Sequence, residues 1–148
     1  MTEKKRKCGG VVAQFTVAEA AALLAVSDDT LRRWADAGRL TLSVGPHGRS
    51  VVDGGELARL AQELATDSAL DAAFPHSRAS ARNRITGIVT QVVKDGVMAQ
   101  VDIQAGPFRI VSLMSREAAD ELGLEPGTLA TASVKATTVV VELPEAGR

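Results

Sequence analysis

The stretch Ser80-Ala81-Arg82-Asn83-Arg84-Ile85-Thr86-Gly87-Ile88-Val89 joins a run of polar donors to a run that reads as a β-strand. Some fifty residues later Lys135-Ala136 stands between two further strand-like runs. Ser80 offers a hydroxyl, Arg82 a fork of N–H donors and Lys135 an ammonium, with backbone N–H groups around them. Neither motif contains a carboxylate. Such an inventory suits a small tetrahedral dianion, which has acceptor oxygens and no proton to give. Phosphate near neutral pH keeps a proton, and a donor-only site leaves that proton without an acceptor. Sulfate has no such proton, so only cavity size can exclude it.

Beyond that stretch, Ile85–Val93 puts Ile85, Gly87, Val89, Gln91 and Val93 on one strand face, and Lys94-Asp95-Gly96 signals a hairpin. Val97–Ile103 returns, Gln104-Ala105-Gly106-Pro107 turns, and Phe108–Leu113 runs out again. Ser115 is placed to cap a short helix, Arg116–Leu122, closed by Gly123. Pro126-Gly127 then turns into Leu129–Val134, and Thr137–Leu143 is expected as a fifth strand.

The order of motifs resembles the molybdate-binding Mop (molbindin, TOBE-type) domain from Ser80 to Leu143: S-A-R-N, Gly87-x-Val89, a hydroxyl helix start at Ser115, Leu122-Gly123-Leu124 and Lys135-Ala136. The resemblance implies a small OB-like β-barrel and molybdate or tungstate as bound ligand. It carries over Ser80, the Ala81 N–H, Arg82, Ser115, Lys135 and the Ala136 N–H as ligands, with Asn83 as a structural bracket. The family's site forms where subunits meet, one giving the S-A-R-N segment and the other the hydroxyl and Lys-Ala segments. One copy of the domain therefore implies a homo-oligomer, a dimer at least, with a hexamer as family precedent. Ala118 stands where the family has a second Ser, which removes one donor and a factor of a few in affinity.

The N-terminal half has a different period. Thr16 and Glu19 form a capping box before an apolar face of Ala20, Leu23 and Leu24. Ser27 caps a second helix through Leu31 and Trp34, and Gly38 ends it. Leu40–Ser43 and Ser50–Val52 read as strands around the turn Val44–Arg49, and Asp53 with Glu56 reads as another capping box. This order is that of a winged helix-turn-helix, and the L-R-R-W, A-G-R-L and G-x-x-G-R motifs resemble the MerR and excisionase-like DNA-binding domains. The resemblance implies DNA as partner, with Arg32, Arg33, Thr30 and Arg49 as contact candidates. Leu31 and Trp34 facing inward leave Arg32 and Arg33 outward on the recognition helix.

Composition bounds these readings. An apolar fraction of 45% and a charged fraction of 24% in 148 residues suit two small globular modules. With aromatics at 3%, the cores must be aliphatic. A net charge of −1 gives no bulk attraction to nucleic acid, so DNA contact requires a local patch. Cys8 is the single cysteine, and two scattered histidines, His47 and His76, make no Cys/His metal set. Lys4–Lys7 before Val11-Val12-Ala13 only superficially resembles a signal peptide, because Gln14, Thr16 and Glu19 interrupt it. No stretch approaches the roughly 18 apolar residues of a membrane span. The expectation is an α+β chain of two domains, residues 11–65 and 80–143, joined by a linker at 66–79. It is expected to be cytoplasmic, off the membrane and not an enzyme, since no nucleophile–base pair or paired acids occur. The combined resemblances imply a molybdate-responsive DNA-binding regulator, with molybdate storage as the alternative.

Overall fold

A computed structural model describes residues 13–66, 73–74 and 79–144, and the chain divides into two compact units, residues 1–69 and 70–148. Lys4–Lys7, Cys8, His76 and most of the expected linker lie outside the described residues.

In the first unit Thr16 ends strand β1 (Gln14–Thr16) and caps helix α1 (Val17–Leu23). The Glu19 N–H donates to Thr16 Oγ1 at 3.3 Å and the Thr16 N–H to Glu19 Oε2 at 2.8 Å, so both halves of the box form. Ala25 turns the chain with a φ of 54°, and Ser27 caps α2 (Asp28–Asp36) by accepting from the Thr30 N–H. Gly38, at a φ of 75°, supplies the left-handed exit. Strands β2 (Leu42–Val44) and β3 (Ser50–Asp53) form the wing, with a 3-10 turn at Pro46–Gly48. The wing gains a third strand that was not expected: β1 pairs with the other edge of β3, giving the order β1-β3-β2. Three residues are too few to show a period.

Helix α3 (Gly54–Thr66) completes the unit. Asp53 Oδ1 accepts from the N–H groups of Gly55 and Glu56, as a cap should. The reciprocal half of the expected box is not made. Glu56 accepts instead from the Thr41 hydroxyl at 3.2 Å, tying α3 to the approach to β2. Ala20, Leu31, Val52 and Leu60 are fully buried at the centre, and half-buried Trp34 packs against them with the Arg39 guanidinium 5.1 Å from its ring centroid.

The second unit is a curled antiparallel half-barrel: β4 (Asn83–Lys94), β5 (Met98–Ala105), β6 (Phe108–Ser115) and β7 (Leu129–Val134), in the order β6-β5-β4-β7. Helix α4 (Arg116–Glu121) follows β6, capped by Ser115 Oγ accepting from the Ala118 N–H. Long β4 is the spine; its first half pairs with β7 and its second with β5. Gly87 lets β5 approach, since a Cβ there would stand 2.4 Å from the Gln104 carbonyl oxygen.

Two expectations are corrected. The single face from Ile85 to Val93 is broken by a β-bulge between Val89 and Gln91. Val89 is buried, but beyond the bulge Val92 turns inward and Gln91 and Val93 face solvent. One inserted residue exchanges the faces of everything that follows. The second concerns Thr137–Leu143, which is not a strand in this chain. A 3-10 turn at Ala136–Thr138 is followed by extended, unpaired backbone, leaving Val140, Val141 and Leu143 81–90% exposed. Across the inner face of the sheet lies an apolar groove of about 450 Å³, lined in part by Val101, Ile103, Ile110, Met114 and Ala132.

Candidate oxyanion and nucleic-acid sites

Antiparallel register brings most of the expected oxyanion ligands to one end of the β4–β7 ladder. Asn83 is paired with Val134, so Ser80-Ala81-Arg82 enters and Lys135-Ala136 leaves at neighbouring positions. The Asn83 side-chain amide donates to the Val134 carbonyl at 3.2 Å, a bracket between the two segments. Arg82 and Lys135 are exposed, and among the described residues neither side chain has a hydrogen bond or ion pair. Two free cations and the adjoining backbone can neutralise and hold a dianion.

Ser115 is not part of that group. It pairs with Met98, beside the Lys94–Asp95 hairpin at the opposite end of β4. Its hydroxyl accepts the Ala118 N–H, and the hollow beside it is lined by Arg116 together with Glu117, Asp120 and Glu121. Three carboxylates make that hollow unlike the donor-only end. A single chain therefore holds Ser80, Ala81, Arg82, Lys135 and Ala136 at one end and Ser115 at the other.

The same hairpin shows why α4 sits where it does. Asp95 Oδ1 accepts from the N–H groups of Met98 and Val97, which hold its carboxyl below the ordinary range. Lys94 pairs with Asp120 of α4 and lowers that carboxyl too. On the outer face of β5, Asp102 is 4% exposed. Arg109 Nε donates to it at 2.8 Å and Gln100 at 3.0 Å, and these bonds lower its pKa, Arg109 most.

In the first unit Leu31 is buried while Arg32 and Arg33 face solvent, as expected from helical spacing. Their surroundings differ. Arg33 Nε lies 3.5 Å from Asp29, and its guanidinium is 3.4 Å from the Thr30 hydroxyl, which also meets Ser27 Oγ at 2.9 Å. Arg32 has no hydrogen bond or ion pair among the described residues. It opens into a hollow of about 380 Å³ that it shares with Arg49 of the wing, lined also by Thr16, Val17, Ala18, Asp28 and Ser50. Sequence alone offered no signal for this convergence, because it joins a helix to a wing across a turn of unreadable shape. Among the described residues no group of three or more His, Cys, Asp or Glu is arranged to hold a metal ion. No helix among them is long and apolar enough to cross a membrane.

Comparison with known proteins divides the chain in the same way. Residues 79–141 match the TOBE domain model, and residues 15–65 match the model of a helix-turn-helix domain. Molybdenum-pterin-binding protein 3 of Clostridium pasteurianum is 38% identical over 63 residues, 42% of this chain and 93% of that protein. The chain belongs, through its C-terminal domain, to the molybdenum-pterin-binding (Mop) family. A second Mop protein of the same organism, molybdenum-pterin-binding protein 2, is 40% identical over 63 residues and is again 93% covered. MopA of Rhodobacter capsulatus is 38% identical over 68 residues, but the chain spans only 26% of its length. Among solved structures, a molybdate-binding protein from Sporomusa ovata is 31% identical, with 45% of this chain and all of that one covered and a TM-score of 0.44. ModG, described as a cytoplasmic molybdate-binding protein and solved with molybdate bound, is 39% identical over 46% of this chain and 49% of its own, also at a TM-score of 0.44. This chain thus joins a helix-turn-helix domain to a Mop domain.

Proposed function

We propose that the chain is a cytoplasmic, molybdate-responsive DNA-binding regulator. Its TOBE domain takes molybdate or tungstate through Arg82 and Lys135, the N–H groups of Ala81 and Ala136 and the hydroxyls of Ser80 and Ser115. The observation that carries the ligand is the pair of uncommitted cations, Arg82 and Lys135, bracketed together by Asn83 and Val134 with no carboxylate in either motif. The molybdenum-pterin-binding relatives, covered over 93% of their length, support the choice of oxyanion. The role is one of binding, with no reaction assigned.

Two or more copies complete the site. Ser115 lies at the far end of the sheet from Arg82, so a second chain is needed to bring its hydroxyl to the cations. The unpaired Val139–Leu143 segment and the open apolar groove support the same reading, because a tail from one copy can fill the groove of another. Burying a Val or Leu side chain is worth about 1.5–3 kcal/mol, so a few such residues suffice for a stable contact.

The test is calorimetry with molybdate, tungstate, sulfate and phosphate on protein purified without them. Molybdate or tungstate should bind and phosphate should not. At about 100 times the dissociation constant, binding stabilises the fold by about 2.7 kcal/mol. A melting temperature indifferent to millimolar molybdate overturns the ligand.

A second reading, molybdate storage or buffering, is favoured by the Clostridium proteins, whose length is almost wholly covered by the Mop domain without a helix-turn-helix. Gel retardation at physiological salt separates the two readings. A protein that retards no duplex, with or without molybdate, is a store.

A further inference from the structure

We infer that Arg32 and Arg49 grip one and the same phosphate of a DNA backbone, leaving Arg33 as the arginine of α2 that meets base edges. The inference rests on the DNA-binding reading and assigns separate tasks to side chains that sequence alone leaves equivalent.

Arg32 comes from the recognition helix and Arg49 from the wing, and both open into the hollow beside Thr16 and Ser50. Neither guanidinium has a hydrogen bond or salt bridge to the described residues. Arg49 acts weakly on Glu19, whose carboxylate is already taken up by the Thr16 N–H and hydroxyl. Arg32 and Arg49 both line one hollow and neither is paired among the described residues, so a shared anion can neutralise the two together. Phosphate fits both forks, since each guanidinium can give it two parallel N–H bonds. The hollow lies where a helix and a wing meet, so a duplex that seats α2 in its major groove brings its backbone there. Asp28 is the opposing term. Its carboxylate lines the same hollow and repels a phosphate.

Arg33 is arranged otherwise. Asp29 and Thr30 lie one turn N-terminal to it on α2, and the Thr30 hydroxyl meets that of the capping Ser27. Those contacts favour one direction for a long, exposed side chain, and reading a base edge with two parallel bonds benefits from such a bias.

The test measures binding of the full chain to two duplexes, one of mixed sequence and one selected by the wild-type chain from a random library, across a range of salt. Arg32→Gln and Arg49→Gln should each weaken both duplexes about tenfold with little change in the salt slope, because the remaining arginine still neutralises the shared phosphate. The double variant should flatten the slope by about one unit, because the single phosphate is then released. Arg33→Gln should keep the slope and relax discrimination at one base pair, by about tenfold. Asp28→Asn should tighten both duplexes. A double variant whose slope falls by about two units shows two separate phosphates and overturns the shared grip. An Arg33→Gln slope that falls while discrimination stays intact overturns the division of labour. Failure of the wild type to bind either duplex refutes the DNA-binding reading itself, a result distinct from all of these.

Discussion

Gly87 has no side chain because there is no room for one. With the Gln104 carbonyl oxygen 2.4 Å from the position of a Cβ, Gly87→Ala must push β5 away from β4. The expected cost is about 1–3 kcal/mol, read as a lowered melting temperature of the C-terminal domain by calorimetry. The residues at the Asn83–Val134 end separate by a different measurement. Asn83→Ala removes the bracket and leaves the Val134 carbonyl unpaired by a side chain, so it should lower stability without any ligand, by about 1 kcal/mol. Arg82→Ala and Lys135→Ala should leave the ligand-free melting temperature near that of the wild type, since neither side chain has a hydrogen bond or ion pair among the described residues. Each should abolish the rise that molybdate produces. A ligand-free loss as large as that of Asn83→Ala would make Arg82 a structural residue.

At the scale of elements, helix starts and turns were the most legible features. Thr16, Ser27, Asp53 and Ser115 all cap as their positions predict, because a cap is decided within four residues of chain. Thr16→Ala should cost about 1 kcal/mol in the N-terminal domain, measured by denaturant unfolding. Features that depend on a distant partner were less legible. Glu56 had the right spacing for a reciprocal cap and was claimed by Thr41, fifteen positions away. Thr90 gives no local sign that the sheet bulges beside it, yet the bulge decides that Val92 rather than Val93 enters the core. Val139–Leu143 has the composition of a strand, which specifies an extended backbone and a taste for burial but not whose edge will supply the hydrogen bonds. The donor-only segments Ser80–Asn83 and Lys135-Ala136 were visible as residue types, and their meeting depends on the β4–β7 register, which only the fold supplies. The carboxylates of the second unit make a further element-scale prediction. Arg109 and then Gln100 depress Asp102, the Met98 and then the Val97 N–H depress Asp95, and Lys94 depresses Asp120. A carboxyl lowered in the folded state adds stability that is fully present above its ordinary pKa. That stability is lost as pH falls through the depressed value, so the C-terminal domain should weaken on the acid side alone. Denaturation midpoints measured against pH should show this limb, and Asp102→Asn should flatten it.

For the molecule as a whole, the central expectation is that the two proposed ligands, molybdate and DNA, communicate. If molybdate changes the affinity for DNA by some factor, DNA must change the affinity for molybdate by the same factor, commonly about 5- to 150-fold. Titrating each ligand with and without saturating amounts of the other measures both sides of that equality. Equal affinities in both pairs would leave the domains merely tethered and favour storage. Removing Val139–Leu143 should shift the protein to monomers in light scattering and abolish molybdate binding together, if the tail completes a neighbour's groove. The Asn83–Val134 pairing also sets an order in time. The hairpins β4–β5 and β5–β6 close over short loops, whereas β7 must find β4 across a sequence separation of 51 between the paired residues. Distant closures form late, since the entropy of the loop is spent before the contact repays it. During refolding, amide protection should therefore appear first in β5 and last at the start of β4 and the end of β7. The mouth that holds Arg82 beside Lys135 is then the final part of the domain to be born, and a chain halted just before that moment would have nearly all its sheet and no grip on an anion.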